Sequence, residues 1–184
     1  GSLRWSVPLS GLAVQDPALG DIDRDLADDI VVAVGGANAG IEVRDASGAS
    51  ITSRTGWPAA LAAPATGPPV VAPLGAPFGA NADPSIGFFQ TAGFRVLDSA
   101  AQPLPRFPLP GLAGQSPAVD DLDGDGASEI AAGVAAPDSN AYTYDAGPGT
   151  WRPSSSMWLT PRGDMARTAS HADGGSPNQV IDRI

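Results

Sequence analysis

Residues 111–134 read GLAGQSPAVDDLDGDGASEIAAGV, and residues 11–34 read GLAVQDPALGDIDRDLADDIVVAV. At an offset of 100 and with no gap, Gly11, Leu12, Ala13, Gln15, Pro17, Ala18, Asp21, Asp23, Asp25, Ala27, Ile30 and Val34 meet the same residue in the partner stretch. Self-similarity of that kind marks a repeat architecture. It continues as GIEVRDASG (40–48) against NAYTYDAGP (140–148), each an alternating strand running into a turn.

A weaker copy lies between the two. GFRVLDSAAQPLPRFP (93–108) follows GIEVRDASGASITSRTGWP (40–58) in its strand, in its Asp (Asp98 for Asp45) and in its closing aromatic-Pro. Pro69-Val70-Val71 stands where Pro17-Ala18-Leu19 stands in the first unit. The aromatic residues Trp5, Trp57, Phe107 and Trp158 fall 52, 50 and 51 residues apart. The chain therefore reads as repeats over 4–57, 58–107 and 108–165, followed by a polar tail over 166–184.

Each unit suggests about four short antiparallel strands in about 50 residues, the size of a propeller blade. The expected fold is all-β, with three blade-like units. Gly (23) and Pro (19) are spread along the 184 residues, which suits tight turns and opposes long helices. Three blades cannot close a ring, which needs roughly 4–8. The expectation is a homo-oligomer, or a parent polypeptide that supplies the remaining blades.

The charge is distributed as unevenly as the repeats would have it. The net charge is −10, from 18 Asp, 2 Glu and 10 Arg, with no Lys. Residues 21–30 carry net −4 and residues 120–129 net −5, so two short windows hold nine of the ten excess negative charges. Carboxylates packed that closely repel one another unless a cation sits among them. No basic face is available for nucleic acid, and no apolar run is long enough to span a membrane. With no cysteine there is no disulfide, zinc-thiolate site or thiol nucleophile, and no catalytic residue is assigned.

In Asp121-Leu122-Asp123-Gly124-Asp125-Gly126-Ala127-Ser128-Glu129, acids at positions 1, 3 and 5 of a tight loop converge, and glycine at position 6 permits the bend. The Ala127 carbonyl and Glu129 complete an all-oxygen donor set that suits Ca²⁺. An EF-hand would carry a carboxylate at position 12, where this chain has Ala132 and Val32, and helices would flank it. By the offset, a first site comprises Asp21, Asp23, Asp25, the Ala27 carbonyl and Asp29. There Leu26 and Arg24 replace glycines, and leucine at the bend costs on the order of 1 kcal/mol of backbone strain. The middle unit has Pro73-Leu74-Gly75-Ala76 in place of the acids, and no ion is expected there.

The Asp-x-Asp-x-Asp-Gly-x-x-Glu-Ile pattern running into a small-residue strand resembles the FG-GAP (VCBS-type) repeats of integrin α-subunit-like β-propellers. The Gly56-Trp57-Pro58 ending and the stretch from Trp158 to Asp164 are similar to bacterial members of that group. The resemblance covers roughly residues 4–165 and implies two calcium sites that tie strands of a blade. It also implies a secreted or cell-surface module that meets a protein or a glycan. Three readings stay open: a calcium-stabilised scaffold or protein-interaction domain, a carbohydrate-binding lectin, and a non-catalytic accessory domain of a secreted hydrolase.

Weaker features point elsewhere than chemistry. Arg162-Gly163-Asp164 spells an integrin-recognition tripeptide but is accounted for by the family's closing segment. His171, the single histidine, has no nucleophile motif near it. The regular spacing of the four aromatics argues for packing over sugar stacking, and Tyr142 and Tyr144 read as one half-buried strand face. Gly147-Pro148-Gly149 is too generic for a phosphate loop.

Overall fold

Alternating apolar residues and frequent turn signals build short antiparallel strands throughout. The computed structural model describes residues 1–51, 54–75, 84–107, 109, 117–133 and 140–148. Among them the chain is all-β, with three small antiparallel sheets, none closed on itself, and a single 3-10 turn at Gly36–Asn38.

Sheet 1 contains β1 (Leu12–Ala13), β2 (Ala18–Gly20), β3 (Asp29–Gly35), β4 (Gly40–Arg44) and β5 (Ala59–Ala60). Its order is β1-β3-β4-β5, and β2 lies beside β1 on the same flank of β3. Sheet 2 runs β6 (Val70–Ala72), β7 (Ser85–Gln90), β8 (Gly93–Leu97), and sheet 3 runs β9 (Ala118–Asp120), β10 (Ala127–Gly133), β11 (Ala141–Pro148). The first strand pairs of sheets 1 and 3 have one register: Ala18 faces Val31 and Gly20 faces Asp29, as Ala118 faces Ala131 and Asp120 faces Glu129. β2 neighbours β6, and β6 neighbours β9.

Sheet 2 lies between the other two, and its sequence says why. Successive strand residues point to opposite faces, so a sheet covered on both sides needs apolar residues at nearly every position. β7 is buried along its whole length. Val71, Ile86, Phe88 and Leu97 join a core with Ala18, Ile22, Val31, Ala33, Ile41 and Val43 of sheet 1. Val70, Ala72, Phe89, Phe94 and Val96 join a second core with Val119, Ile130, Ala132 and Ala146 of sheet 3. Gly87 makes room for this stacking, since a Cβ there would lie 2.4 Å from the Phe94 ring. Tyr142 and Tyr144 pack against the second core with their rings stacked at 6.2 Å, as a half-buried strand face would.

Turns after β4 and β8 share one design. Asp45 Oδ1 accepts the amides of Ser47 and Ala49, and Asp98 Oδ1 those of Ala100 and Gln102. The left-handed position falls on Gly48 in one and Ala101 in the other. Trp5 Nε1 donates to the Ala46 carbonyl of the first turn, and Trp57 Nε1 to the Ser99 carbonyl of the second, both at 2.9 Å. Two residues beyond Trp57, Ala59 pairs with Ile41 of β4; two beyond Phe107, Leu109 pairs with Phe94 of β8.

The stacking makes a direct prediction. Phe88 is fully buried between sheets 1 and 2, so Phe88→Ala should lower unfolding free energy by about 3–5 kcal/mol. Urea denaturation measures this, and a loss below about 1 kcal/mol would contradict the shared core.

Candidate metal centre

Both acidic loops enter from a short strand and leave into a buried one. In the second, Asp121, Asp123 and Glu129 each bring one carboxylate oxygen within 4.8 Å of the others; in the first, Asp21, Asp23 and Asp29 do the same. β3 begins at Asp29, and Glu129 sits in β10, so the last acid of each trio is fixed by a sheet while the first two ride the bend. Asp29 is 2% and Glu129 7% exposed, whereas Asp21, Asp23, Asp121 and Asp123 meet solvent.

Four hydrogen bonds recur in both loops. The amide of Ile22 donates to Asp29 Oδ2 at 2.9 Å, and that of Leu122 to Glu129 Oε2 at 2.7 Å. Leu26 N–H reaches Asp21 Oδ2, and Gly126 N–H reaches Asp121 Oδ2, both at 3.1 Å. Asp25 N–H donates to Asp23 Oδ1 and Asp125 N–H to Asp123 Oδ1. Ala27 N–H donates to Asp25 Oδ1 and Ala127 N–H to Asp125 Oδ1. Each carboxylate has about four lone-pair sites, so these bonds set the bend and still leave oxygen for a cation.

The structure thus gathers three of the five expected donors in each loop. Asp25 and Asp125 lie outside the trios and cap the amides of Ala27 and Ala127 instead. Position 2 was not legible as functional: Ile22 is fully buried and anchors its loop in the core, while Leu122 is 59% exposed. Only its apolar character in both loops could have signalled an anchor.

Backbone conformation explains the glycines of the second loop. Gly124 and Gly126 have φ of 81° and 84°, with open space where a Cβ would go. Arg24 and Leu26 occupy the same left-handed region at 65° and 72°. The first loop adopts the same bend against the preference of L side chains, at about 1–2 kcal/mol per residue. Leu26 is also 95% exposed, so no burial offsets that cost.

The electrostatics favour a cation. Burial pushes the Asp29 carboxyl up to about 7; the Ile22 amide pulls it down, and the Asp23 charge raises it further. Burial likewise raises Glu129, against its bond from Leu122, with Asp123, Asp125 and Asp121 adding to the rise. Removing negative charge by protonation or binding a divalent ion relieves the same repulsion. Hard oxygens, converging carboxylates and no nitrogen or sulfur donor in either trio fit Ca²⁺. An ion there would supply charge neutralisation and a tie between the loop and the strand that follows.

In the middle unit Leu74 is fully buried, and its carbonyl accepts a hydrogen bond from Arg106 at 2.6 Å. A separate buried acid, Glu42, sits at sheet 1's outer face. Its Oε1 accepts both the amide and hydroxyl of Ser10 at 2.6 Å, and its Oε2 accepts from Arg44. Burial pushes this carboxyl up, but those bonds outweigh it and hold it below the ordinary glutamate range. Trp158, Arg162-Gly163-Asp164, His171 and Gly149 lie outside the described residues. Among the described residues no helix is long and apolar enough to cross a membrane. Comparison with known proteins finds no matching family model, no matching curated protein and no matching solved structure.

Two outcomes follow from the loop geometry. A carboxyl raised from 3.8 to about 7 makes its full contribution to stability below pH 3.8 and loses it as pH rises through about 7. In chelator, wild-type protein should lose stability between pH 5 and 7 relative to Asp29→Asn, and millimolar Ca²⁺ should abolish the difference; parallel urea curves across that range would count against it. Leu26→Gly should raise unfolding free energy by about 1 kcal/mol by removing left-handed strain. A loss of stability in that variant would show that the bend is relaxed in solution.

Proposed function

We propose that this chain is a calcium-binding repeat module of the FG-GAP type, built from β-propeller-like blades. It acts outside the cell as a scaffold or protein-interaction domain. The observation that carries the reading is the duplication of one loop at an offset of 100, down to four hydrogen bonds and the same trio of carboxylates. Shared register in the first strand pairs supports the repeat, and so do the matched turns at Asp45 and Asp98. Stacked sheets with β2, β6 and β9 as successive neighbours suit blades around an axis.

Exposed loops of this kind bind calcium with Kd on the order of 0.1–1 mM, a range met in extracellular modules. A chain with no cysteine gains its cross-links from metal instead of disulfides. The structural role is favoured over direct contact with a partner, because each trio joins a loop to its own strand. Trp5 and Trp57 spend their indole N–H on turn carbonyls, which supports packing over sugar stacking for these two rings. Remaining blades come from further copies or from a parent polypeptide.

Thermal unfolding with and without Ca²⁺ tests the reading. At ten times Kd each site adds about 1.4 kcal/mol, which raises Tm by roughly 3–6 °C in a chain of this size. Asp121→Asn should remove the second loop's share and Asp21→Asn the first loop's. Identical Tm values in chelator and in 10 mM Ca²⁺ would overturn the proposal.

A further inference from the structure

Asp21 and Asp23, two members of the first trio, flank Ile22 in the chain. Ile22 is gripped at two points. Its amide donates to Asp29 Oδ2 at 2.9 Å, and its side chain is fully buried in the core between sheets 1 and 2. Val71, Ile86 and Phe88 are the contribution of sheet 2's β6 and β7 to that core. Of residues 21–28, Ile22 alone joins it. A residue between two carboxylates of the loop is thus part of the packing that joins one sheet to the next.

A close-packed interior leaves little room for a side chain to shift. Neighbouring Cα atoms are about 3.8 Å apart, so fixing Ile22 limits where the Asp21 and Asp23 carboxylates can lie. Calcium takes its oxygens at roughly 2.3–2.6 Å, and donors held ready bind more tightly than donors that must be gathered. The rest of the bend works against readiness. Arg24 and Leu26 sit at φ of 65° and 72°, a region that L side chains disfavour, and Leu26 is exposed.

The second loop reaches the same shape by another route. Gly124 and Gly126 adopt the left-handed conformation without that strain, and among the described residues neither core includes Leu122. We propose that Ile22 is the positioning residue of the first calcium site. Its burial between sheets 1 and 2 holds Asp21 and Asp23 ready for the ion, and so ties that loop's affinity to the packing of the two sheets. The second loop keeps its shape through glycine and is independent of that core. The inference rests on the calcium reading above and deepens it by naming what governs the first site. Such coupling is reciprocal, so an ion in the first loop favours the packed arrangement of sheets 1 and 2.

Amide NMR shifts during Ca²⁺ titration of the full chain read both loops in one sample. The Leu26 and Ala27 amides report on the first, and those of Gly124 and Gly126 on the second. Ile22→Ala keeps the amide that bonds Asp29 and removes the apolar grip. It should raise the first loop's Kd about tenfold or more, the scale of losing a group that orients a metal ligand. The second loop's Kd should stay within about twofold. Phe88→Leu alters β7 and neither loop, yet it should raise the first loop's Kd about threefold and spare the second. A purely local role for Ile22 would not produce that response. Well-dispersed spectra certify the fold of each variant, and Phe88→Leu decides alone if Ile22→Ala does not fold. Unchanged first-loop affinity with calcium still bound would overturn the inference and leave the calcium module standing. Equal weakening at both loops would overturn it as well. No shift at either loop in unaltered protein would overturn the calcium reading, and the inference with it.

Discussion

Negative charge crowded at the points where exposed bends become buried strands is the constraint around which this molecule is arranged. Asp29 opens β3 and Glu129 sits in β10, the central strands of their sheets, and each is drawn toward the two acids of its loop. A carboxylate half in the core and half in a cluster of like charge is costly unless it is protonated or something positive is near. The loop amides supply part of that compensation. A divalent ion bound there would complete it and tie the loop to the central strand.

From those central strands the packing builds outward. With β3 and β10 set in register against β2 and β9, sheets 1 and 3 turn opposite faces to the middle sheet, presenting Ala18 and Val31 in one and Val119 and Ile130 in the other. The middle sheet has no acids to place and invests instead in aromatic bulk. Phe89 and Phe94 meet edge to face at 5.0 Å, and Phe94 meets Phe107 at 6.0 Å. A sheet buried on both faces holds its position by area, at roughly 25 cal/mol per Å², and the unit without an acidic loop is the one flanked by both others.

Much of the all-β character was legible because period-two alternation and turn chemistry are local signals. β3, β4, β8 and β11 fall where GIEVR, GFRVL and the apolar runs indicate. The acidic trios were legible in part. Spacing along a loop predicts that acids at positions 1, 3 and 5 converge, but Asp25 and Asp125 turn to cap the next amides, a choice made by backbone geometry that spacing does not encode. The end of the first unit shows the same limit: β5 at Ala59–Ala60 still belongs to sheet 1, beyond the boundary at residue 57. A boundary drawn at a regularly spaced aromatic misses that the ring serves one sheet while the residues after it serve another. The Ser10–Glu42–Arg44 cluster was invisible for a plainer reason, since its members lie on separate segments and only the fold joins them.

Crystals grown in millimolar Ca²⁺, with data collected to record calcium's anomalous scattering, give the most direct view of the central claim. The account predicts one peak among Asp121, Asp123 and Glu129 and a second among Asp21, Asp23 and Asp29. Ordered water alone between those carboxylates, with no anomalous signal at either loop, would contradict it.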